Sequence, residues 1–252
     1  MKQFGNWLWL AVVAAWMAGC SHPNSKTPVD SNSESTAFAR PTQLMAAITN
    51  GDSVVLHWKN NATVEGGNWV EFATPGSEYT KLSVFMSDAP CVSFIHPRVA
   101  PQSTFIYHVE PFFGRASGPV EITTGVPTNN APQLGEGPIA GAGVNASGEG
   151  APKYSLRALQ TFAQAAPADL TATLSSPTSV DLCWKDRAAD EDGYLLEIGR
   201  NPAGPFALCA LLPPDTTSFR KIHLPPATKC YFRVRAYFYG KPSDTASVNT
   251  PQ

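Results

Sequence analysis

Electric charge is scarce in this sequence, and no stretch concentrates positive charge. The 252 residues include 18 Lys and Arg against 20 Asp and Glu, dispersed along the chain. Proteins that bind nucleic acid usually carry a basic patch or stripe that neutralises phosphates. We therefore expect no nucleic-acid partner.

The usual signatures of metal and enzyme chemistry are also missing. The histidines His22, His57, His96, His108 and His223 are scattered, with no pair at metal-ligand spacing, and no Cys-x-x-Cys motif occurs. No serine lies in a Gly-x-Ser-x-Gly turn, and no phosphate-binding glycine loop precedes a helix. We expect no cofactor, no metal and no catalytic residue. A hydrolase with an unrecognised site is the weakest alternative.

Acidic residues cluster once, in Asp190-Glu191-Asp192-Gly193. The arrangement resembles a fragment of a calcium loop, in which acids lie close to a glycine at a sharp turn. No glutamate follows at the spacing that would complete such a loop. The stretch suits a turn that leads into a strand, and a weak cation site is the alternative.

The one long apolar run lies near the amino end. It extends from Trp7 to Met17 after the single cation Lys2, and Ala18-Gly19-Cys20 follows. A run of this length is typical of a signal-peptide core and is too short to span a membrane comfortably. The residues that lead to Cys20 resemble the lipobox of bacterial lipoproteins. The alternative is an ordinary secretory signal with an incidental cysteine.

The lipobox resemblance implies that residues 1–20 form a lipoprotein signal peptide and that Cys20 carries acyl chains such as palmitate. Each buried methylene contributes about 0.8 kcal/mol, so several chains would hold the protein on the lipid bilayer. Ser21 follows the cysteine, where aspartate would favour the inner membrane. We therefore expect export from the cytoplasm and a lipid anchor in the cell envelope, at the outer membrane.

Two stretches contain too few apolar residues to form a packed domain. Residues 21–40 are rich in Ser, Asn, Pro and Thr, which predicts a disordered tether. Residues 126–166 are rich in Gly, Pro and Ala, which predicts a long flexible linker. Within this linker, Ser155, Leu156, Leu159 and Phe162 have the spacing of a short helix, which would persist only if it docked.

The rest of the chain contains an internal repeat. The segment Ser53–Lys59 reads SVVLHWK and the segment Ser179–Lys185 reads SVDLCWK, with Val, Leu and Trp alternating inward in both. This period of two predicts half-buried antiparallel strands. With 23 prolines and 19 glycines to form turns, the composition favours an all-β fold.

The second copy also contains a run that resembles the E–F corner and F strand of fibronectin type III domains. The matching residues are Leu224, Pro226, Thr228, Phe232, Arg233, Val234 and Ala236. The resemblance implies two antiparallel β-sandwiches, over residues 41–125 and 167–251, each able to fold alone. It fails at the tyrosine whose hydroxyl closes the corner in the family, because Phe105 stands there in the first copy and Cys230 in the second.

Two cysteines of the second copy are candidates for a disulfide. Cys209 and Cys230 align with the apolar residues Leu82 and Phe105 of the first copy, so two core positions change to cysteine together. In an oxidising compartment this favours a Cys209–Cys230 bridge that replaces the corner hydrogen bond. Two buried free thiols are the alternative.

Aromatic residues and a cation lead into the predicted F–G loop of each copy. Phe113 with Arg115, and Tyr239 with Lys241, are candidate ligand contacts, although such rings can instead pack inward. We predict a membrane-anchored, non-enzymatic binding or spacer lipoprotein with an unknown protein partner. The alternative is an accessory polysaccharide-binding protein whose aromatic rings stack on sugars.

Overall fold

The computed structural model describes residues 36–86, 89–127, 134–139 and 152–252. The predicted signal peptide, Cys20 and nearly all of the predicted tether lie outside these residues. After a short 3-10 turn at Thr36–Phe38, the described residues form fourteen strands. These are β1 (Thr42–Thr49), β2 (Ser53–Lys59), β3 (Gly66–Ala73), β4 (Thr80–Phe85), β5 (Cys91–His96), β6 (Thr104–Phe113), β7 (Val120–Thr123), β8 (Ala168–Ser176), β9 (Ser179–Lys185), β10 (Gly193–Gly199), β11 (Phe206–Leu212), β12 (Ser218–Lys221), β13 (Lys229–Tyr239) and β14 (Ala246–Asn249).

The predicted all-β fold is confirmed, and the repeated strand is its central element. Val54, Leu56 and Trp58 on β2 are at most 2% exposed, as are their counterparts on β9. Alternate residues of a strand point to opposite faces, so each of these strands presents one apolar face to a core. In the part of the chain that the structure describes, no helix is long and apolar enough to cross a membrane.

Each repeat contributes one small sheet to its own sandwich. The first repeat forms a three-stranded sheet in the order β1-β2-β5, and the second forms the equivalent sheet β12-β9-β8. Both sheets are antiparallel. The two sheets are therefore equivalent, with the repeated strand in the middle of each.

The larger sheets of the two sandwiches are continuous with one another. They form a single eight-stranded sheet in which β11-β10-β13-β6-β3-β4 are hydrogen-bonded in that order. The two long strands meet at their ends, where Phe238 and Tyr239 of β13 pair with Phe113 and Phe112 of β6. The pairing of Phe113 with Phe238 joins equivalent positions of the two repeats, which gives the junction an approximate two-fold symmetry.

The last strand of each repeat completes the sandwich of the other repeat. Strand β7 of the first repeat pairs with β13, and strand β14 of the second repeat pairs with β6. The two exchanged strands occupy equivalent registers, since Val120 lies opposite Phe232 and Ala246 lies opposite Tyr107. We call β1–β6 with β14 the first sandwich, and β8–β13 with β7 the second. The expectation that residues 41–125 and 167–251 would each form a self-contained sandwich therefore differs from the structure.

The cores reflect this exchange. One cluster of buried side chains fills the first sandwich around Trp58 and Tyr107. The cluster around Trp184 in the second sandwich also includes Phe113 of the first repeat, with Phe38 packed against it. A third cluster lies at the junction and draws from both repeats, with Trp69, Phe112, Leu195 and Tyr237 as its buried members. Apolar burial therefore joins the sandwiches as well as filling each one.

The described parts of the connection between the repeats pack against the second sandwich. Gly137 forms a bridge with Arg220, and Tyr154 forms one with Ala188. The predicted short helix is absent from residues 155–163, which form turns instead. Asp190 accepts hydrogen bonds from the hydroxyl of Ser155 and the amide of Leu156, which fixes this segment to the second sandwich. These parts of the predicted flexible linker are thus ordered by docking.

Candidate functional site

Both corners of the fold are closed by a threonine that belongs to the other repeat. The Thr124 hydroxyl lies 2.6 Å from the carbonyl oxygen of Pro225 and accepts a 2.8 Å hydrogen bond from the Thr228 amide. At the other corner, the Thr250 hydroxyl lies 2.7 Å from the carbonyl oxygen of Ala100 and accepts from the Ser103 amide at 2.9 Å. Each threonine immediately follows an exchanged strand. These hydroxyls make the hydrogen bonds to the corner backbone that Phe105 and Cys230, at the position of the corner tyrosine, cannot make.

The predicted Cys209–Cys230 disulfide is wrong. Both residues are free thiols, Cys230 buried and Cys209 half-buried. Cys209 lies on β11 and Cys230 on β13, with β10 between them in the sheet. Two strand spacings amount to about 9.6 Å, beyond the Cα separation that a disulfide can bridge. Burial raises the pKa of the Cys209 thiol to about 11, which suppresses the reactive thiolate.

The predicted ligand contacts do not form one exposed site. Phe113 is 2% exposed and packs on Phe238 at a ring separation of 5.5 Å, because both residues lie in strands that pair at the junction. Tyr239 is half-buried, and its ring lies 5.0 Å from the ammonium of Lys81. Arg115 and Lys241 are exposed. Phe113 therefore packs inward, which was the alternative to a ligand contact, because β6 extends to this residue.

A buried ion network ties the repeats together beside these rings. The Arg235 guanidinium, only 2% exposed, contacts Glu197 and Glu65, each at 2.7 Å, and donates to the carbonyl of Gly114. Glu65 and Gly114 belong to the first repeat and Arg235 to the second. Burial disfavours the charge, but the two carboxylates outweigh it and raise the pKa of Arg235. The network therefore links the two sandwiches, and Arg235 and Glu197 are buried within it.

A second charged cluster lies on the first sandwich, and sequence reasoning missed it. The Glu71 carboxylate contacts Lys81 at 2.6 Å and His108 at 2.7 Å, and the His108 ring stacks on Tyr79 at 3.9 Å. Burial favours the neutral acid, but the hydrogen bonds from Lys81 and His108 outweigh it and lower the pKa of Glu71. His108 is only 14% exposed at its side chain, so it is not the surface residue that alternation alone suggests.

The described residues contain an open pocket of about 520 Å³, formed by the first repeat. Its walls are Ala39 and Pro41, the loop of residues 60–65 between β2 and β3, the first three residues of β3, and Pro111 and Phe113 of β6. Pockets of about 300 to 1,000 Å³ are the usual size for bound ligands. The pocket is the candidate binding site of this protein.

Asparagine side chains hold the pocket loop in place. The side-chain oxygen Oδ1 of Asn60 accepts hydrogen bonds from the indole N–H of Trp58 at 3.1 Å and from the side-chain amide of Asn68 at 2.9 Å. The Asn61 amide donates to the carbonyl of Arg40 at 2.8 Å and to the Thr42 hydroxyl at 2.9 Å. Since one loop is bonded to three surrounding segments, the pocket is preformed.

The acidic turn of the second repeat is held by basic side chains of its own chain. Carboxylate oxygens of Asp186, Glu191 and Asp215 lie within 4.8 Å of one another. The Lys153 ammonium contacts Asp186 at 2.5 Å and Asp215 at 3.2 Å. Asp192 contacts Arg157 at 2.8 Å. The charges in this turn are therefore used to bind the connecting segment, which favours the structural interpretation over a cation site.

Comparison with known proteins gives only distant structural likenesses. No protein-family model and no curated protein matches the chain. A two-domain fibronectin type III segment of chicken tenascin aligns over 84% of this chain and 100% of its own, with 10% identity and a TM-score of 0.26. The FN1–FN3 domains of chicken CNTN1 align over 86% of this chain and 68% of their own, with 13% identity and a TM-score of 0.27. Because these identities and TM-scores are low, the description of each half as a β-sandwich rests on the strand order seen in the structure itself.

Proposed function

We propose that the protein is a non-enzymatic binding or spacer lipoprotein of the bacterial cell envelope, attached to the lipid bilayer through an acylated Cys20. The observation that carries the proposal is the reciprocal exchange of β7 and β14. Because each sandwich is completed by a strand of the other, the two act as one stiff body with no free hinge between them. Such a body suits a role in spacing or in presenting a fixed binding surface.

The sequence supports the anchored part of this proposal. The apolar run that ends at Ala18-Gly19-Cys20 is the feature expected of a lipoprotein signal, and Ser21 favours the outer membrane. Binding of an envelope protein, rather than a soluble partner, would follow from this address.

Polysaccharide binding is the second candidate function, and the structure offers it less support. Sugars stack on exposed aromatic rings, whereas Phe112, Phe113, Tyr237 and Phe238 are each at most 5% exposed. Among the predicted contacts, Tyr239 is the aromatic residue left partly accessible. Retention on one polysaccharide of a glycan array, abolished by Tyr239→Ala, would favour this alternative over protein binding.

Substitution of the anchor residue tests the proposed attachment. The Cys20→Ser variant should move the protein from the membrane fraction to the soluble fraction of cells, because no thiol remains to carry the lipid. Mass spectrometry of the amino-terminal peptide should show acyl chains in the wild type and none in the variant. Cys183→Ser, which removes a thiol of the second sandwich, serves as the control and should stay in the membrane fraction. Unchanged fractionation of Cys20→Ser would refute the anchor.

A further inference from the structure

Most of the sheet edges in the described residues are built in a way that discourages an added strand. The edge of a sheet carries backbone N–H and C=O groups that can pair with another chain. Strands β1, β4, β8 and β11 lie at sheet ends, and the register against the neighbouring strand shifts at least once in each. Such bulges bend an edge and interrupt regular pairing. The exchanged strands β7 and β14 are only four residues long.

The edge of β12 in the second repeat is covered by the chain itself. Gly137 and Arg220 of β12 exchange two backbone hydrogen bonds, at 3.2 and 2.8 Å. Lys221 of the same strand contacts Glu136 at 2.7 Å. The connection between the repeats therefore occupies this edge, and two cations of β12 lie along it.

Strand β5, the counterpart of β12 in the first repeat, is the exception among these edges. Its register against β2 is unbroken along all six residues, and it contains no Lys, Arg, Asp or Glu. The Asn60 amide donates to the Pro90 carbonyl, so strand alternation directs the backbone groups of Ser93 and Ile95 away from β2. Within the described part of the chain, no backbone group pairs with them on that side. Strand β5 therefore presents a regular, open edge.

The sheet face beside this edge is apolar where its counterpart is charged. Ala47, Val55 and Ile95 lie opposite one another on β1, β2 and β5, with their side chains on the outer face. Ile95 is 55% exposed. In the corresponding row of the second repeat, Asp181 and Arg220 form a salt bridge of 2.6 Å. A strand added to β5 would therefore cover Ile95 without removing a charge from water.

A segment equivalent to the one that covers β12 would come from the predicted signal peptide. The repeats are offset by 126 residues, as between Ser53 and Ser179, so the counterpart of residues 136–139 is residues 10–13. Export would remove that segment from the mature protein. The occupant of the β5 edge is then expected from another chain.

A second copy of β5 fits this edge. An antiparallel edge is self-complementary, because a two-fold rotation matches the outward-facing donors of one strand with the acceptors of the other. The strand carries no acid, and burial lowers the pKa of His96, which keeps its ring neutral near pH 7. No like charges would therefore oppose the pairing of two copies.

We propose that the protein forms a homodimer in which β5 pairs antiparallel with β5 of a second copy, so that two three-stranded sheets become one six-stranded sheet. The inference rests on the proposed function, because removal of the signal peptide leaves the edge open and lipid anchors hold copies in one membrane at a high effective concentration. Fractionation of Cys20→Ser tests the anchor alone and sedimentation tests the pairing alone, so failure of one is distinguishable from failure of the other.

Sedimentation equilibrium of the full-length protein in a density-matched detergent tests the dimer. We expect a concentration-dependent equilibrium between one and two chains. Ile95→Lys should raise the dissociation constant by about tenfold or more, because lysine on an edge strand opposes strand addition. Leu211→Lys is the matched control, since Leu211 is 44% exposed on the bulged edge strand β11, and it should dimerise like the wild type. A wild-type protein that stays monomeric, or equal weakening by both variants, would overturn the proposal.

A proline substitution tests whether the backbone makes the contact. In Ser93→Pro the lost amide is one that faces away from β2, so the ladder between β2 and β5 keeps its hydrogen bonds while the edge loses a donor. We expect a monomer whose circular dichroism spectrum matches that of the wild type. A dimer of Ser93→Pro as tight as the wild-type dimer would overturn pairing through this edge.

Discussion

Thr124 and Thr250 each close a corner of the sandwich to which they do not belong by sequence. Both are nearly buried, at 3% and 7% exposed, and each hydroxyl bonds to backbone groups of the other repeat. A fibronectin type III corner is normally closed by a tyrosine hydroxyl from within the same domain. Here Phe105 and Cys230 occupy that position and are buried. The two threonines therefore make the corner hydrogen bonds depend on the strand exchange.

Removal of one threonine hydroxyl should destabilise the whole body. In Thr124→Val the shape is kept, but the half-buried Thr228 amide loses the acceptor that lies 2.8 Å away. Loss of a hydrogen bond of this kind costs about 0.5–1.5 kcal/mol, so the free energy of unfolding should fall by that amount. Urea unfolding followed by circular dichroism measures it. Thr123→Val, one residue earlier and exposed, should change the stability little. An equal loss of stability in both variants would show that the Thr124 hydroxyl does not stabilise the corner.

At the scale of elements, the junction between β6 and β13 requires glycine at close backbone contacts. A Cβ atom at Gly114 would lie 1.9 Å from the carbonyl oxygen of Ala236, and one at Gly240 would lie 2.4 Å from the Phe113 ring. Real Cβ atoms do not approach a backbone oxygen so closely. Because they have no side chain, these glycines let the ends of the two long strands meet. The Arg235 guanidinium donates a hydrogen bond to the Gly114 carbonyl at this point.

A single methyl group should therefore open this junction. In Gly114→Ala the backbone must shift away from Ala236, and overpacking of this kind costs about 1–3 kcal/mol or more. The expected result is a lower urea midpoint and a gain in hydrogen exchange at residues 111–114 and 236–240. Gly118→Ala, where no heavy atom lies within 4 Å of the added Cβ, is the matched control. Wild-type exchange rates in Gly114→Ala would show that the junction tolerates separation.

At the scale of the whole molecule, the exchange of strands makes two sequence repeats into one folding unit. The residues that the structure describes form a single compact unit. Its stability is shared among two sandwich cores and the junction cluster, so neither repeat can lose its last strand without exposing the core of the other. We expect the two sandwiches to unfold together rather than one by one.

Engineered disulfides can report directly which strand lies beside β6. Ile106 of β6 lies opposite Ser247 of β14, and Glu121 of β7 holds the position equivalent to Ser247. Directly opposed residues of an antiparallel pair have Cα atoms about 4.5–5.5 Å apart, within the range that a disulfide bridges. The double variant Ile106→Cys with Ser247→Cys should therefore form an intramolecular disulfide on oxidation, detected by mass spectrometry of non-reduced peptides.

The paired control distinguishes the exchanged arrangement from a conventional one. If each repeat kept its own last strand, Ile106→Cys with Glu121→Cys would crosslink instead. We expect no crosslink in that variant. A dimer joined between chains by the 106–247 disulfide would show that the exchange occurs between molecules, contrary to the structure.

The sequence predicted the parts of the fold that local patterns encode. The alternation of Val54, Leu56 and Trp58, repeated on β9, indicated the buried strands and the sandwich cores correctly. The pattern could not decide whether Phe113 contacts a ligand or packs inward, because alternation shows which residues share a face but not where a strand ends or what covers that face. The pocket could not be predicted, since its walls come from residues before β1, the β2–β3 loop and β6, which are far apart in the sequence and meet only in the folded protein.

By itself, the sequence determined an all-β chain of two equivalent repeats, because side-chain alternation and turn residues act over a few neighbouring positions. The tertiary structure decided which edge strand completes which sandwich. Backbone hydrogen bonds along a sheet edge are nearly independent of sequence, so β7 and β14 each fit either repeat in isolation. The choice is made by contacts between residues far apart in the chain: Thr124 with Thr228, Thr250 with Ser103, and Phe113 with Phe238.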